Sequence, residues 1–259
     1  MSITSTLLLI FAVCSIAMAI SWLYAMKIKN IGVVDVAWAG LMAAAGIFCA
    51  ITSNGSSTAK LATGLFAGLW GTRLFLTLYK RVFSEPEDGR YQALRQTWNG
   101  SSSKLFVFFQ GQAVIVTLFS IPFIAASSNV SLDTGICLGL AIIVFIISVG
   151  GETIADRQLA AFRGNSNNRG KTCRQGLWAW SRHPNYFFEW LHWFSYVLLA
   201  VGGGYFMLSL IGPVVMLLFL YRVSGIPWTE AQAIRSRGED YLNYQKEVSA
   251  FFPLPPKKQ

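Results

Sequence analysis

Asp35, Arg73, Gln110, Gln112, Glu152, Glu189 and His192 each stand inside a stretch of otherwise apolar residues. Polar groups in such surroundings are costly, and a pathway or a reaction site is their default meaning. With each stretch read as a helix rising about 1.5 Å per residue, Asp35 lies roughly 6–8 Å inside one helix and Arg73 about 9 Å from the end of the next. Gln110 and Gln112 lie about two turns into a fourth, and Glu152 sits one turn before Asp156 in a fifth. All of them share one depth near one membrane face. This points to a water-accessible cavity open to that face, because a transport path would continue with polar groups to the far side. Structural glue is the plainer reading for any one of them: an Asp35–Arg73 ion pair, and glutamines bonding helix to helix.

Asn185, Glu189 and His192 follow one another at i, i+4 and i+7, a spacing that sets them on one face of a helix. A helix beginning at Asn185, just after Pro184, directs free N–H groups and a positive dipole end at whatever lies before it, an arrangement suited to phosphate. The preceding stretch supplies Arg163, Lys171, Arg174 and Arg182, enough cations for a ligand with several phosphates.

The elements that position these residues follow from composition. Of 259 residues 54% are hydrophobic and only 13% charged, against about 25% charged in a soluble domain. Windows of about 19 residues give seven apolar spans, near 4–26, 31–52, 59–79, 104–127, 134–156, 185–203 and 206–222. An amphipathic stretch from Trp228 to Val248, then Phe251-Phe252-Pro253 and a basic tail ending in Lys257 and Lys258, follow. The expected fold is an all-α, polytopic bundle of seven transmembrane helices forming a single domain over residues 1–259.

All but two of the 21 Lys and Arg fall in the first, third and fifth connections and the C-terminal segment; the exceptions are the intramembrane Arg73 and Lys60. The positive-inside rule then puts the C-terminus and the long third and fifth connections in the cytosol and the N-terminus outside. The formal charge of +9 is thereby accounted for by orientation, and neither nucleic acid nor a protein partner is called for. Residues Thr4 to Met26 carry no charge and have no basic residue before Lys27, which reads as a retained helix rather than a cleaved leader. Cys14, Cys49, Cys137 and Cys173 form no pair at metal-ligand or disulfide-motif spacing, so no metal is expected.

The run Gly176-Leu177-Trp178-Ala179-Trp180-Ser181-Arg182-His183-Pro184-Asn185-Tyr186, with Glu189 after it, resembles the C-terminal signature of the steroid 5α-reductase family, in particular its bacterial branch. The resemblance extends to Gly225-Ile226-Pro227, Glu230, Gly238-Glu239-Asp240-Tyr241-Leu242-Asn243-Tyr244 and Phe252-Pro253. More loosely it reaches Asp35-Val36-Ala37-Trp38, Trp70-Gly71-Thr72-Arg73-Leu74 and Glu87-Asp88-Gly89-Arg90-Tyr91. It implies an integral enzyme of the bacterial inner membrane with a cytosolic active site. Such an enzyme reduces a carbon–carbon double bond conjugated to a ketone with NADPH, in an apolar, steroid-like lipid that enters from the bilayer. Residues 151–259 would bind the cofactor and residues 1–130 would form the substrate cavity. Position by position, the resemblance assigns Asp156, Arg163, Lys171, Asn185, Glu189 and Tyr241 to the dinucleotide, with Arg73 and Arg81 as further contacts. The motif residues Arg174, Arg182, His183, Glu230 and Tyr244 complete the expected cofactor set. The family's carbonyl acid is a glutamate on the second helix with a tyrosine on the third. Here the counterparts are Asp35 and Trp70, and since an indole donates no phenolic proton, Tyr24 or Tyr79 is expected in the tyrosine's place.

Membrane methyltransferases acting on isoprenylated cysteine or phospholipid share an Arg-His-Pro-x-Tyr helix start and bind S-adenosylmethionine. That is the alternative reading. Asn185 with Glu189 matches the reductase form, and the basic loop exceeds what a ligand without phosphate needs. A lipid-binding scaffold would leave the buried polar residues without a purpose.

Overall fold

The computed structural model describes residues 1–223 and 225–257; Lys258 of the basic tail lies outside them. The α-helices are α1 (Ile3–Ile28), α2 (Val33–Thr52), α3 (Ser57–Ser84), α4 (Gly89–Thr97), α5 (Ser102–Ser127), α6 (Ile136–Gly164), α7 (Pro184–Ala200), α8 (Phe206–Ser209), α9 (Ile211–Leu218), α10 (Ile226–Arg237) and α11 (Glu239–Glu247), with no strand among the described residues. Among the described residues six stretches are long and apolar enough to cross a membrane: α1, α2, α3, α5, α6 and the run Phe206–Arg237. The chain is therefore an all-helical protein built for a bilayer. The expected sixth span is α7, which at 17 residues is shorter than those six.

Four elements differ from the expectation: α6 runs on to Gly164, so Arg157 and Arg163 belong to it, and the other three differ each for a local reason. α3 runs on to Ser84, so Lys80 and Arg81 belong to it. It stops there because Glu85 precedes Pro86, which disfavours helical backbone in the residue before it. The third connection contains α4, started by Asp88, whose carboxylate accepts from the Arg90 N–H at 2.9 Å. The last span is broken into α8, α9 and a π-helical turn at Phe219–Val223. Pro213, four residues after Ser209, offers no N–H to the Ser209 carbonyl and collides with it, and α8 ends at Ser209.

The chain divides into two units. The first comprises Met1–Gly139 with Tyr196–Gly212 and the second comprises Leu140–Ser195 with the described residues from Pro213 on. In the first, α2 and α3 pack through small residues. A β-carbon on Gly46 would lie 2.2 Å from that of Ala67, and one on Gly71 would lie 2.7 Å from that of Ala43, so glycine is what lets these backbones approach. α1 is tied to α5 by Ser15 donating to Gln110 Oε1 at 2.6 Å while Gln110 Nε2 donates to the Ser15 carbonyl at 3.2 Å. Buried Asn129, just past α5, donates to the carbonyls of Leu199 and Val201 at 2.9 and 2.8 Å.

In the second unit α6 buries Phe145, Ser148, Glu152 and Ala155 on one face and exposes Ile146, Ile147 and Ile154 on another. The expected amphipathic stretch forms α10 and α11, divided at Gly238, and buries Ala233, Tyr241, Tyr244 and Val248 together.

Candidate functional site

The first group of candidate residues belongs to the first unit and is built on the N-terminal turn of α2. Asp35 Oδ1 accepts from the Tyr91 hydroxyl at 2.5 Å. Its Oδ2 lies 3.6 Å from Nη2 of Arg81 and 3.6 Å from Nη2 of Arg90. One carboxylate is thus met by a phenol and two guanidinium groups, drawn from α3 and α4. These are the ion-pair partners of Asp35 in place of the Arg73 considered from the sequence, and Arg73 stands half-buried on α3. Arg81, a residue the resemblance gives to the dinucleotide, is held here.

A bracket beside the group fixes α4. Glu87 Oε1 accepts from the Ile31 N–H at 2.7 Å and from Arg95 at 2.8 Å, and Arg95 also donates to the Lys29 carbonyl at 2.9 Å. Tyr91 is buried, stacks edgewise on Phe108 and carries the Arg90 guanidinium 5.4 Å over its ring. Burial and the Asp35 charge push its hydroxyl well above the usual range for a phenol, so it holds its proton at neutral pH.

Tyr24 and Tyr79, expected as proton donors, are exposed and pack with Phe83, at 6.4 and 4.6 Å between ring centroids. The tyrosine brought to Asp35 is Tyr91, the last residue of Glu87-Asp88-Gly89-Arg90-Tyr91, for which no role was expected. The available signal was Asp88 as a helix cap two residues before Arg90, which starts a short helix at Gly89 and puts Tyr91 in its first turn. Trp70 is fully buried and meets Trp38 edge-on at 6.3 Å.

The second group lies in the second unit, around the signature run. Arg182 donates through Nε to Glu230 Oε1 at 2.7 Å, and through Nη1 to the carbonyls of Gln245 and Val248 at 2.9 and 2.7 Å. Glu230 also meets His183 Nε2 at 3.2 Å and accepts from the Tyr241 hydroxyl at 3.4 Å and from Gln245 at 2.7 Å. Tyr244 donates to the carbonyls of Trp178 and Ser181 at 2.5 and 3.2 Å. Arg174 pairs with Glu247 and donates to the Asp240 carbonyl at 2.9 Å, and Asp240 in turn accepts from the Thr172 N–H at 2.7 Å. Burial lowers the pKa of His183, which keeps its imidazole neutral, and raises those of Tyr241 and Tyr244.

Arg174, Arg182, His183, Glu230, Tyr241 and Tyr244 are therefore bonded to one another and to backbone, binding residues 172–183 to α10, α11 and the segment after them. Six of the residues expected around a cofactor build the frame of the unit. Those that remain in this unit are Asp156, Arg163, Lys171, Asn185 and Glu189. Asn185, in the first turn of α7, donates to Asp156 Oδ1 of α6 at 3.3 Å. Glu189 and His192 are buried farther along α7, while Arg163 and Lys171 are exposed at the end of α6 and in the connection after it. Among the described residues no cluster of His, Cys, Asp or Glu fits a metal ion.

Residues 21–248 match the family described as "Protein of unknown function (DUF1295)", and the chain belongs to that family. Neither a curated protein nor a solved structure matches it.

Proposed function

We propose that this member of the DUF1295 family is a membrane reductase that saturates the carbon–carbon double bond of a conjugated enone in an apolar, steroid-like lipid, with NADPH as its cofactor. The observation that carries the reading is the Tyr91 hydroxyl on the Asp35 carboxylate at 2.5 Å, flanked by Arg81 and Arg90. Reduction of an enone at its β-carbon drives negative charge onto the carbonyl oxygen. A fixed phenol beside two cations stabilises such an oxygen and delivers a proton to the enolate. Methyl transfer from a sulfonium generates no oxyanion and needs no proton from a phenol. The pairing of a second-helix acid with a tyrosine is also what the sequence resemblance implies, with α4 in place of the third helix as the tyrosine's source.

NADPH, when bound, supplies a hydride. The donors that suit it are the Asn185 amide at the start of α7 beside Asp156, with the exposed Arg163 and Lys171 for phosphate. The framework around Arg182 and Glu230 holds that helix start in place.

Purified protein in detergent should melt higher with NADPH, by RT ln(1 + [L]/Kd), about 2.7 kcal/mol at a hundredfold excess over Kd. Stabilisation by S-adenosylmethionine and none by NADPH would establish the methyltransferase reading instead.

The same proposal takes α7 as a seventh span, since 17 residues is at the lower end of the roughly 17–25 that cross a bilayer. It sets the N-terminus outside and α4 in the cytosol, in keeping with the bias of Lys and Arg. In intact cells and a Cys137→Ser background, an impermeant thiol reagent should label Ser2→Cys and spare Gly89→Cys. The reverse pattern would overturn the orientation.

A further inference from the structure

The second unit carries a groove of about 610 Å³ that the reductase reading does not use. Ile146, Gly150, Ile154 and Gln158 form one inclined row along α6, and Phe188 of α7 and Trp180 are among the residues that line the groove with them. The volume lies within the roughly 300–1,000 Å³ of small-molecule sites, yet Gln158 is the one polar side chain in the lining, and its Oε1 already accepts from the Leu177 N–H at 2.9 Å.

Helical periodicity places this row on the opposite side of α6 from buried Phe145, Ser148, Glu152 and Ala155. Asp156 and Arg163 lie on the Glu152 side as well, so the groove is not part of the candidate cofactor site. It opens outward, between exposed Ile146 and Ile154, on a helix fit to cross a membrane.

The dimensions and the ends of the groove select its occupant. From Ile146 to Gln158 the helix rises about 18 Å, close to the roughly 15 Å of one leaflet's hydrocarbon. The floor is open at Gly150, where a β-carbon would find no atom within 4 Å, whereas one on Gly151 would lie 2.5 Å from the Phe188 ring that forms the wall. One end is purely apolar. The other reaches the turn of α6 that holds Asp156 and Arg157, where Trp180 is 47% exposed and Arg157 is exposed. Tryptophan and arginine at the end of an apolar slot match the headgroup level of a bilayer.

We propose that this groove binds one acyl chain of an anionic phospholipid from the leaflet on the Arg157 side, with Arg157 selecting the headgroup. The site depends on the bilayer and not on the reaction.

The test uses the full-length protein in vesicles of equal phosphatidylglycerol and phosphatidylcholine, extracted in detergent and weighed intact by native mass spectrometry. One phosphatidylglycerol should remain bound to the wild type. Gly150→Trp, whose side chain enters open space, should reduce that occupancy at least tenfold with little change in melting temperature. Ile143→Trp, exposed on α6 outside the groove, should leave it unchanged. Arg157→Gln should cut the preference for phosphatidylglycerol about fivefold, the effect of one basic residue at an anionic surface. A wild type that retains no lipid, or a Gly150→Trp variant that retains as much as the wild type, overturns the groove. An unchanged preference in Arg157→Gln overturns the headgroup assignment. No arm measures turnover, so failure of the reductase reading leaves the result intact.

Discussion

Arg182→Ala is expected to lower the stability of the folded chain by about 3–5 kcal/mol, the effect of removing one partner from a largely buried ion pair. The Arg182 side chain is 12% exposed and that of Glu230 14%. Without the guanidinium, Glu230 keeps its charge beside a neutral His183, and the carbonyls of Gln245 and Val248 lose their donor. In a chain of this size the apparent melting temperature should fall by about 10 °C or more, and the segment after α10 should become sensitive to protease. Arg182→Lys should rescue little, because one ammonium group does not span the carboxylate and both carbonyls as the planar fork does. A melting curve for Arg182→Ala that overlays the wild type would return Arg182 to the role of a ligand contact.

Tyr91→Phe should lower turnover of an enone substrate by about a hundredfold or more, in the range that a positioned general acid contributes, while the melting shift produced by NADPH stays as in the wild type. Phenylalanine keeps the ring between Phe108 and Arg90 and removes only the hydroxyl on Asp35. Tyr24→Phe and Tyr79→Phe, on rings that pack with Phe83, should leave turnover within about twofold. Asp35→Asn should act like Tyr91→Phe on turnover and also destabilise, since it withdraws the charge between Arg81 and Arg90. A Tyr91→Phe enzyme with full activity would sink the assignment, and the phenol would then be a lock between α4 and α2.

By itself the sequence determined the helical, membrane-suited character of the chain and the places of its long helices. A bilayer demands apolar runs of a set length, and that demand is written locally, residue after residue. The burial of Glu189 was legible for a similar reason: it stands inside an apolar run, and helical spacing puts it on one face with Asn185 and His192. The break at Pro213 was also written in the chain, although the apolar window averages over a missing N–H. Only the tertiary structure decided which polar groups satisfy one another. Tyr91 meets Asp35 across 56 residues and Arg182 meets the Val248 carbonyl across 66, and no periodicity reports contacts made by docking one helix on another. Cations that look alike in sequence therefore divided: Arg174 and Arg182 turned to carboxylates and carbonyls, Arg81 went to Asp35, and Lys171 stayed at the surface. Which way each turned depended on whether a desolvated acceptor lay within reach, because a buried charge is stable only with such a partner.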